Sequence, residues 1–244
     1  MIVVLEGVSC SGKSTLLNAL IKKFPDSIGL DPRFGSDHHD RARGQVPEIS
    51  EELHALQTRL RNFESKTLDD ELDFQKAYIP LVRARLTLIA TAAKQNNLVF
   101  AHRDLLSNYV QGNLRFRGIF SPGRAIYAKI FEDLCRNITP LEFADLHIIS
   151  KIPWEVFFER SIKRQRSTWK DLQDEDYFST LSNVYDSVVS VLGERCLLLD
   201  GTQPIEENVI VISDWLLNNP WTPRAPHEIR LILNKLTKEL LKGS

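Results

Sequence analysis

Short apolar runs rich in branched residues alternate with longer stretches of helical periodicity along most of the chain. The runs are Ile2-Val3-Val4-Leu5, Ser27–Leu30, Leu98-Val99-Phe100-Ala101, Leu146-His147-Ile148-Ile149 and Cys196-Leu197-Leu198-Leu199. Strands separated by helices form a parallel, doubly wound sheet, so the expected fold class is α/β with five parallel strands. Four of the runs lead into polar residues: Asp31-Pro32-Arg33, His102-Arg103-Asp104, Ser150-Lys151 and Asp200-Gly201-Thr202. Ligands in such sheets bind beyond the carboxyl ends of the strands, so these groups are expected to converge there. Residues 50–68 and 71–94 carry helical periodicity with ample charge, and residues 35–47 read as a polar loop. After a turn-like segment over 220–226, Ile229, Ile232, Leu233, Leu236, Leu240 and Leu241 recur at helical spacing. That spacing predicts an amphipathic helix packed on its own domain. The expected organisation is one domain over residues 1–217, followed by a linker and helix over 218–244.

Composition narrows the classes. A chain of 244 residues with 43% hydrophobic content can bury one large core. A formal net charge of −1 gives no global field for nucleic acid or an anionic membrane, so any polyanion site must be local. No apolar run approaches a membrane span, and a charged leader with a cleavage site is missing, so a cytoplasmic protein is expected. Cys10, Cys135 and Cys196 are far apart, which suits a reducing compartment and gives no metal spacing. Asp37, His38, His39 and Asp40 read as solvated loop residues rather than ligands.

The chemistry enters at Gly7-Val8-Ser9-Cys10-Ser11-Gly12-Lys13-Ser14, a G-x-x-x-x-G-K-[ST] pattern between the first apolar run and a helical segment that begins at Thr15. Its glycines let the backbone curl, so that N–H groups and a helix N-terminus face a common point and form an anion nest. Gly7, Ser9, Cys10, Ser11, Gly12, Lys13, Ser14 and Thr15 are therefore expected to hold the phosphates of ATP. Lys13 would reach the β/γ-phosphates and the Ser14 hydroxyl would bind Mg²⁺, ATP and Mg²⁺ being the expected cofactors.

Phosphoryl transfer also needs positioned positive charge. Arg160 and Arg164 fall on one helical face and Arg166 follows, which reads as an arginine lid over residues 160–176. Arg103, beyond the third strand, is a candidate for a bidentate clamp on the acceptor or the transferring group.

In this order the landmarks resemble the thymidylate kinase and deoxynucleoside kinase families of P-loop nucleotide kinases. Leu5-Glu6-Gly7 leading into Gly12-Lys13-Ser14-Thr15 is similar to their shared opening, and His102-Arg103-Asp104-Leu105-Leu106-Ser107 to their "DRY…S" and "ERS…S" segments. Pro153-Trp154-Glu155-Val156 with Arg160, Arg164 and Arg166 resembles the helix and lid of both, and residues 199–207 the closing strand and loop of thymidylate kinases. The resemblance implies that Asp200, Gly201, Thr202 and Gln203 lie beside the donor base. Lys13, Arg103, Arg164 and Arg166 are expected to be catalytic, together with His102 at the position of the families' carboxylate, and Glu6, Arg33, Gln75, Arg83, Arg103 and Ser107 are expected to contact the acceptor. Gln75 resembles a base-reading glutamine, while Arg83 or Arg85 resembles the helix arginine that contacts the acceptor in thymidylate kinases.

The chain also departs from the pattern. Ser9 stands where thymidylate kinases place an aspartate, and His102 where both families carry a carboxylate. Residues 113–124 read as a basic and aromatic loop covering the acceptor. The expected reaction is ATP-dependent phosphorylation of a (deoxy)nucleoside monophosphate. A deoxynucleoside kinase acting on a 5′-hydroxyl is the first alternative, and a non-catalytic nucleotide sensor the second. The expected partner is the acceptor nucleotide or nucleoside, with a homodimer left open and no membrane or nucleic acid.

Overall fold

The computed structural model describes residues 1–30, 51–61, 63–118, 120–164, 174–219 and 225–242. Its strands are β1 (Ile2–Gly7), β2 (Ser27–Leu30), β3 (Leu98–His102), β4 (Leu146–Lys151) and β5 (Cys196–Asp200). They form one parallel sheet in the order β2-β3-β1-β4-β5. β1 is central and buried along its whole length, pairing Val4 with Ala101 on one side and with His147 on the other. The chain winds outward from β1 to β2, then crosses β1 to lay down β4 and β5. A crevice at the carboxyl end of the central strand follows from that reversal.

The helices among the described residues are α1 (Lys13–Lys23), α2 (Glu51–Arg61), α3 (Leu68–Gln95), α4 (Leu105–Arg115), α5 (Arg124–Cys135), α6 (Trp154–Lys163), α7 (Glu175–Leu192), α8 (Ile205–Asn218) and α9 (Pro226–Leu241). Alternate residues of β1 feed opposite layers, as the period of a strand requires. Val3 and Leu5 pack with Leu16 and Leu20 of α1 and Ile212 of α8. Ile2 and Val4 pack with Leu81, Leu88 and Ile89 of α3. A third cluster joins α4, α5 and α7, and Ile229, Leu233, Leu236 and Leu240 of α9 lie within it. No helix among the described residues is long and apolar enough to cross a membrane.

Four strand ends and one helical stretch differ from the sequence expectation. β1, β3, β4 and β5 each run on into the polar residues that follow the apolar runs, so Glu6, Gly7, His102, Ser150 and Asp200 are strand residues. The helical pattern over 50–68 is broken, because α2 stops at Arg61 and α3 begins at Leu68. The new start is a reciprocal cap: the Thr67 hydroxyl accepts from Asp70 N at 3.1 Å, and the Asp70 carboxylate accepts from Thr67 N at 3.0 Å.

The stretch 113–124 is a helix corner rather than a loop over a ligand. Phe116 is fully buried and stacks on Tyr127 at 4.8 Å between centroids, and Phe120 is buried beside it. Arg124 opens α5 and donates to the carbonyls of Leu240 and Glu239, closing the last turn of α9. Aromatic burial fixes this corner, and Arg115 at its start lines a cleft.

Candidate active site

The loop between β1 and α1 needs backbone that ordinary residues avoid. Gly7 has φ +129°, and a Cβ there would lie 2.3 Å from Ser150 O. Gly12, which precedes α1, has φ +88°. Cys10 is held left-handed at φ 63° without being glycine, a conformation that costs about 1–2 kcal/mol and persists only where the surroundings enforce it. Its side chain is buried in the core with Val8, so the loop cysteine is a packing residue.

The loop encloses a cavity of about 60 Å³ lined by Ser9, Cys10, Gly12, Lys13, Ser14, His102, Arg103 and Arg164. Lys13 is buried and folds back on its own loop, donating from Nζ to Val8 O at 2.5 Å and Ser11 Oγ at 3.1 Å. Burial and the charge of Arg103 push its pKa well below the usual lysine range, with Arg164 acting in the same sense and Glu6 opposing. Three cations thus crowd one cavity, an arrangement that an anion relieves.

Arg103 sits on a strained elbow between β3 and α4, at φ 72°. Its backbone is held from every side. Arg103 N donates to Leu5 O at 3.1 Å, while Arg103 O accepts from Arg85 Nε at 3.3 Å. Arg85 also donates to Leu30 O and His102 O, both at 3.1 Å, so it braces the ends of β2 and β3. The next residue, Asp104, caps α4 by accepting from Leu106 N at 2.8 Å, and its other oxygen meets His147 Nε2 at 3.0 Å. Glu6 lies beneath the elbow, fully buried, and accepts from Asp104 N, Ser107 Oγ and Tyr185 OH. Burial first, then the Asp104 carboxylate, raises the Glu6 pKa.

A larger cleft of about 240 Å³ opens on the other side of Arg103. It is lined by Gln57 of α2, by Phe74, Gln75, Tyr78, Leu81, Val82 and Arg85 of α3, by Arg103 and Asp104, and by Ser107, Asn108, Gln111 and Arg115 of α4. At one end, the buried Glu71 carboxylate accepts from Gln75 Nε2 at 2.7 Å and pairs with Arg115 at 2.6 Å. Arg115 lies over the Phe74 ring at 5.4 Å. Because a carboxylate can only accept, this pairing fixes the Gln75 amide with its nitrogen toward Glu71.

Beyond β5, the Asp200 carboxylate accepts from Thr202 N at 2.8 Å, Thr202 Oγ1 at 2.6 Å and Gln203 Nε2 at 3.2 Å. Those bonds, the Thr202 hydroxyl first, hold it below the usual carboxylate range. Arg160 Nη1 joins this turn to the loop between β1 and α1, donating to Gly201 O at 2.9 Å and Cys10 O at 3.2 Å.

The structure therefore gathers Ser9, Cys10, Gly12, Lys13, Ser14, His102, Arg103 and Arg164 around one cavity, and Gln75, Arg103 and Ser107 around the other. Gly7, Ser11 and Glu6 support these walls from beneath, and Thr15 lies exposed on the first turn of α1. Arg83 is not in the cleft: its guanidinium donates to Leu134 O at the end of α5. Two residues along a helix is about 200° of rotation, so Arg85 faces the elbow and Arg83 cannot. Arg33 and Arg166, with most of the lid and the residues 35–47, lie outside the described residues. Glu71 and His147 were given no role by the sequence, whereas Ser150 entered among the strand-end polar groups and Arg115 within the stretch 113–124. For Glu71, its i,i+4 spacing from Gln75 was an available signal.

No protein-family model matches the chain. A thymidylate kinase of Mycoplasma pneumoniae is 28% identical over 202 residues, covering 82% of this chain and 86% of that one. Among solved structures, deoxyadenosine kinase from M. mycoides with bound dATP superposes with a TM-score of 0.60 at 16% identity, covering 90% of this chain and all of that one. Thymidylate kinase from Ehrlichia chaffeensis superposes at 0.57 with 14% identity, covering 89% and 98%.

Proposed function

We propose that this chain, an enzyme of the P-loop nucleotide kinase family that contains thymidylate kinases and deoxynucleoside kinases, moves the γ-phosphoryl group of ATP to a deoxynucleoside monophosphate of the thymidylate type. The observation that carries the choice of acceptor is the position and company of Arg103. It lines both cavities, so a group held by it from the larger cleft faces the phosphate loop. Among the described residues lining that cleft the sole carboxylate is Asp104, and both its oxygens are engaged, by Leu106 N and His147. Glu6 is buried and equally committed. A hydroxyl acceptor calls for a base, whereas an acceptor phosphate is already anionic and calls for a cation. The elbow offers the cation.

In this reading the N–H groups of the loop and Lys13 hold the donor phosphates, and Lys13 leaves Val8 O and Ser11 Oγ to do so. Arg164, and Arg166 of the proposed lid over 160–176, add charge where it develops on the transferred group. The turn at 200–203 lies beside the donor base. The chemistry of the donor set fits Mg²⁺ bound as it is in such kinases, by one protein hydroxyl, water and phosphate oxygens: Ser14 is exposed at the cradle, and no cluster of His, Cys, Asp or Glu among the described residues forms a cage. Bound there, the ion neutralises phosphate charge. Glu71 and Arg115 orient Gln75 to read the acceptor base. Residues 1–217 form the kinase domain in this reading, and the enzyme works in the cytoplasm.

A panel of nucleosides and nucleoside monophosphates with labelled ATP tests it. Product is expected from dTMP and not from thymidine or deoxycytidine. Product from the nucleosides alone would move the acceptor assignment to the 5′-hydroxyl, and no product on any acceptor despite ATP binding would make the chain a sensor.

A further inference from the structure

Two consecutive carbonyls of the phosphate loop are held from outside it. Arg160 Nη1, on α6, donates to Cys10 O at 3.2 Å, and Ser150 Oγ, on β4, donates to Ser11 O at 2.8 Å. Neither Arg160 nor Ser150 lines the cavity that the loop encloses. A trans peptide is planar, with its C=O and the following N–H pointing in opposite directions. Drawing those two oxygens outward turns the N–H groups of Ser11 and Gly12 inward. Among the described residues, neither N–H donates to a protein acceptor. The same Arg160 nitrogen also holds Gly201 O at 2.9 Å. Ser150 sits close under that turn as well, since a Cβ on Gly201 would lie 2.6 Å from its Oγ.

We infer that Arg160 and Ser150 are positioning residues of the donor site. They aim the Ser11 and Gly12 amides at the donor phosphates, and Arg160 locks the 200–203 turn to the phosphate loop, so that base and phosphate subsites keep one fixed separation. This rests on the donor-site reading above. It also accounts for the left-handed Cys10, whose carbonyl is fixed from α6. Arg160 differs in this from Arg164, which lines the cavity itself.

The test uses the full chain with Arg160→Met, Arg160→Lys and Ser150→Ala. Amide resonances of Ser11 and Gly12 are followed by ¹⁵N–¹H spectra without nucleotide, and affinities for ATP and inorganic tripolyphosphate, each with Mg²⁺, by calorimetry. Both Arg160→Met and Ser150→Ala should shift the two amides in the empty protein. Each should weaken both ligands, roughly fivefold for one lost hydrogen-bonding donor, Ser150→Ala by the same factor for ATP and tripolyphosphate and Arg160→Met somewhat more for ATP, which alone senses the freed 200–203 turn. Arg160→Lys keeps a donor able to serve two carbonyls and should recover most of the loss. Weaker binding with unmoved amides would mean that Arg160 touches phosphate directly and would overturn the inference. Weaker ATP with unchanged tripolyphosphate would assign it to the base and overturn it equally. If the unaltered protein binds neither ligand, the donor-site reading itself falls and takes this one with it.

Discussion

One uninterrupted stretch at the exit of β1 supplies most of the proposed donor cradle, whereas the proposed acceptor cleft draws its walls from α2, α3, α4 and the elbow after β3. The two also differ in how they hold charge. In the cradle, cations face one another with little compensation, and Lys13 spends its hydrogen bonds on its own loop. In the cleft, Arg115 is neutralised by Glu71 and Gln75 is tied to the same carboxylate. The cradle is thus poised to change when an anion arrives. The cleft is set before its ligand arrives. Arg103 belongs to both, and its strained backbone is braced by Arg85, Glu6 and the Asp104–His147 pair.

The largest effect should come from breaking the donor side alone. Lys13→Ala should cost about 3–4 kcal/mol of transition-state stabilisation, a fall of 10²- to 10³-fold in kcat/KM, while equilibrium binding of the monophosphate stays unchanged. The same lysine gives the cradle a pH signature. Its proton is held loosely in the empty site because burial depresses the pKa, and donor phosphates raise it again. Between those two pKa values ATP binding should take up a proton, read as a dependence of calorimetric heat on buffer ionisation enthalpy. Lys13→Ala should lack it, and proton release in the native protein would contradict the assignment.

A smaller effect should appear on the acceptor side. Gln75→Ala should raise the acceptor KM about tenfold and blur base preference, with the KM for ATP held, because a buried, oriented amide contributes about 1–1.5 kcal/mol. An equal rise in both KM values would mean that the two halves are not separable in the way described. The smallest effect should come from Arg83→Met. Steady-state constants should not move, and thermal unfolding should show a loss of about 1 kcal/mol from the bond to Leu134 O. A changed acceptor KM would return Arg83 to the cleft.

The same contrast explains what could be read from the chain directly. The cradle is local: Gly7, Gly12, Lys13 and Ser14 are a few residues apart, and their spacing alone specifies a loop with left-handed corners. The sheet was legible for a similar reason, since buried strands leave apolar runs. The cleft depends on which face of a 28-residue helix points inward, and a choice between Arg83 and Arg85 turns on rotation that composition does not mark. Residues 113–124 misled because arginine beside phenylalanine reads equally as a stacking surface or as a buried corner. The stacking of Phe116 on Tyr127 decided it. The break before α3 was not read, because the charged helical periodicity over 50–68 masked the signal that Thr67 and Asp70 carry, three apart ahead of an apolar pattern.

The way α9 is seated bears on how the protein is made. Ile229, Leu233, Leu236 and Leu240 are the late-arriving lid of the cluster that includes Tyr109, Tyr127 and Phe131, and Arg124 can seal that seam only once the carbonyls of residues 239 and 240 exist. During translation, α4, α5 and α7 therefore wait with an oily flank bare, and a ribosome stalled short of α9 would hold a nascent chain that already owns its β1–α1 loop yet remains prey for chaperones and proteases.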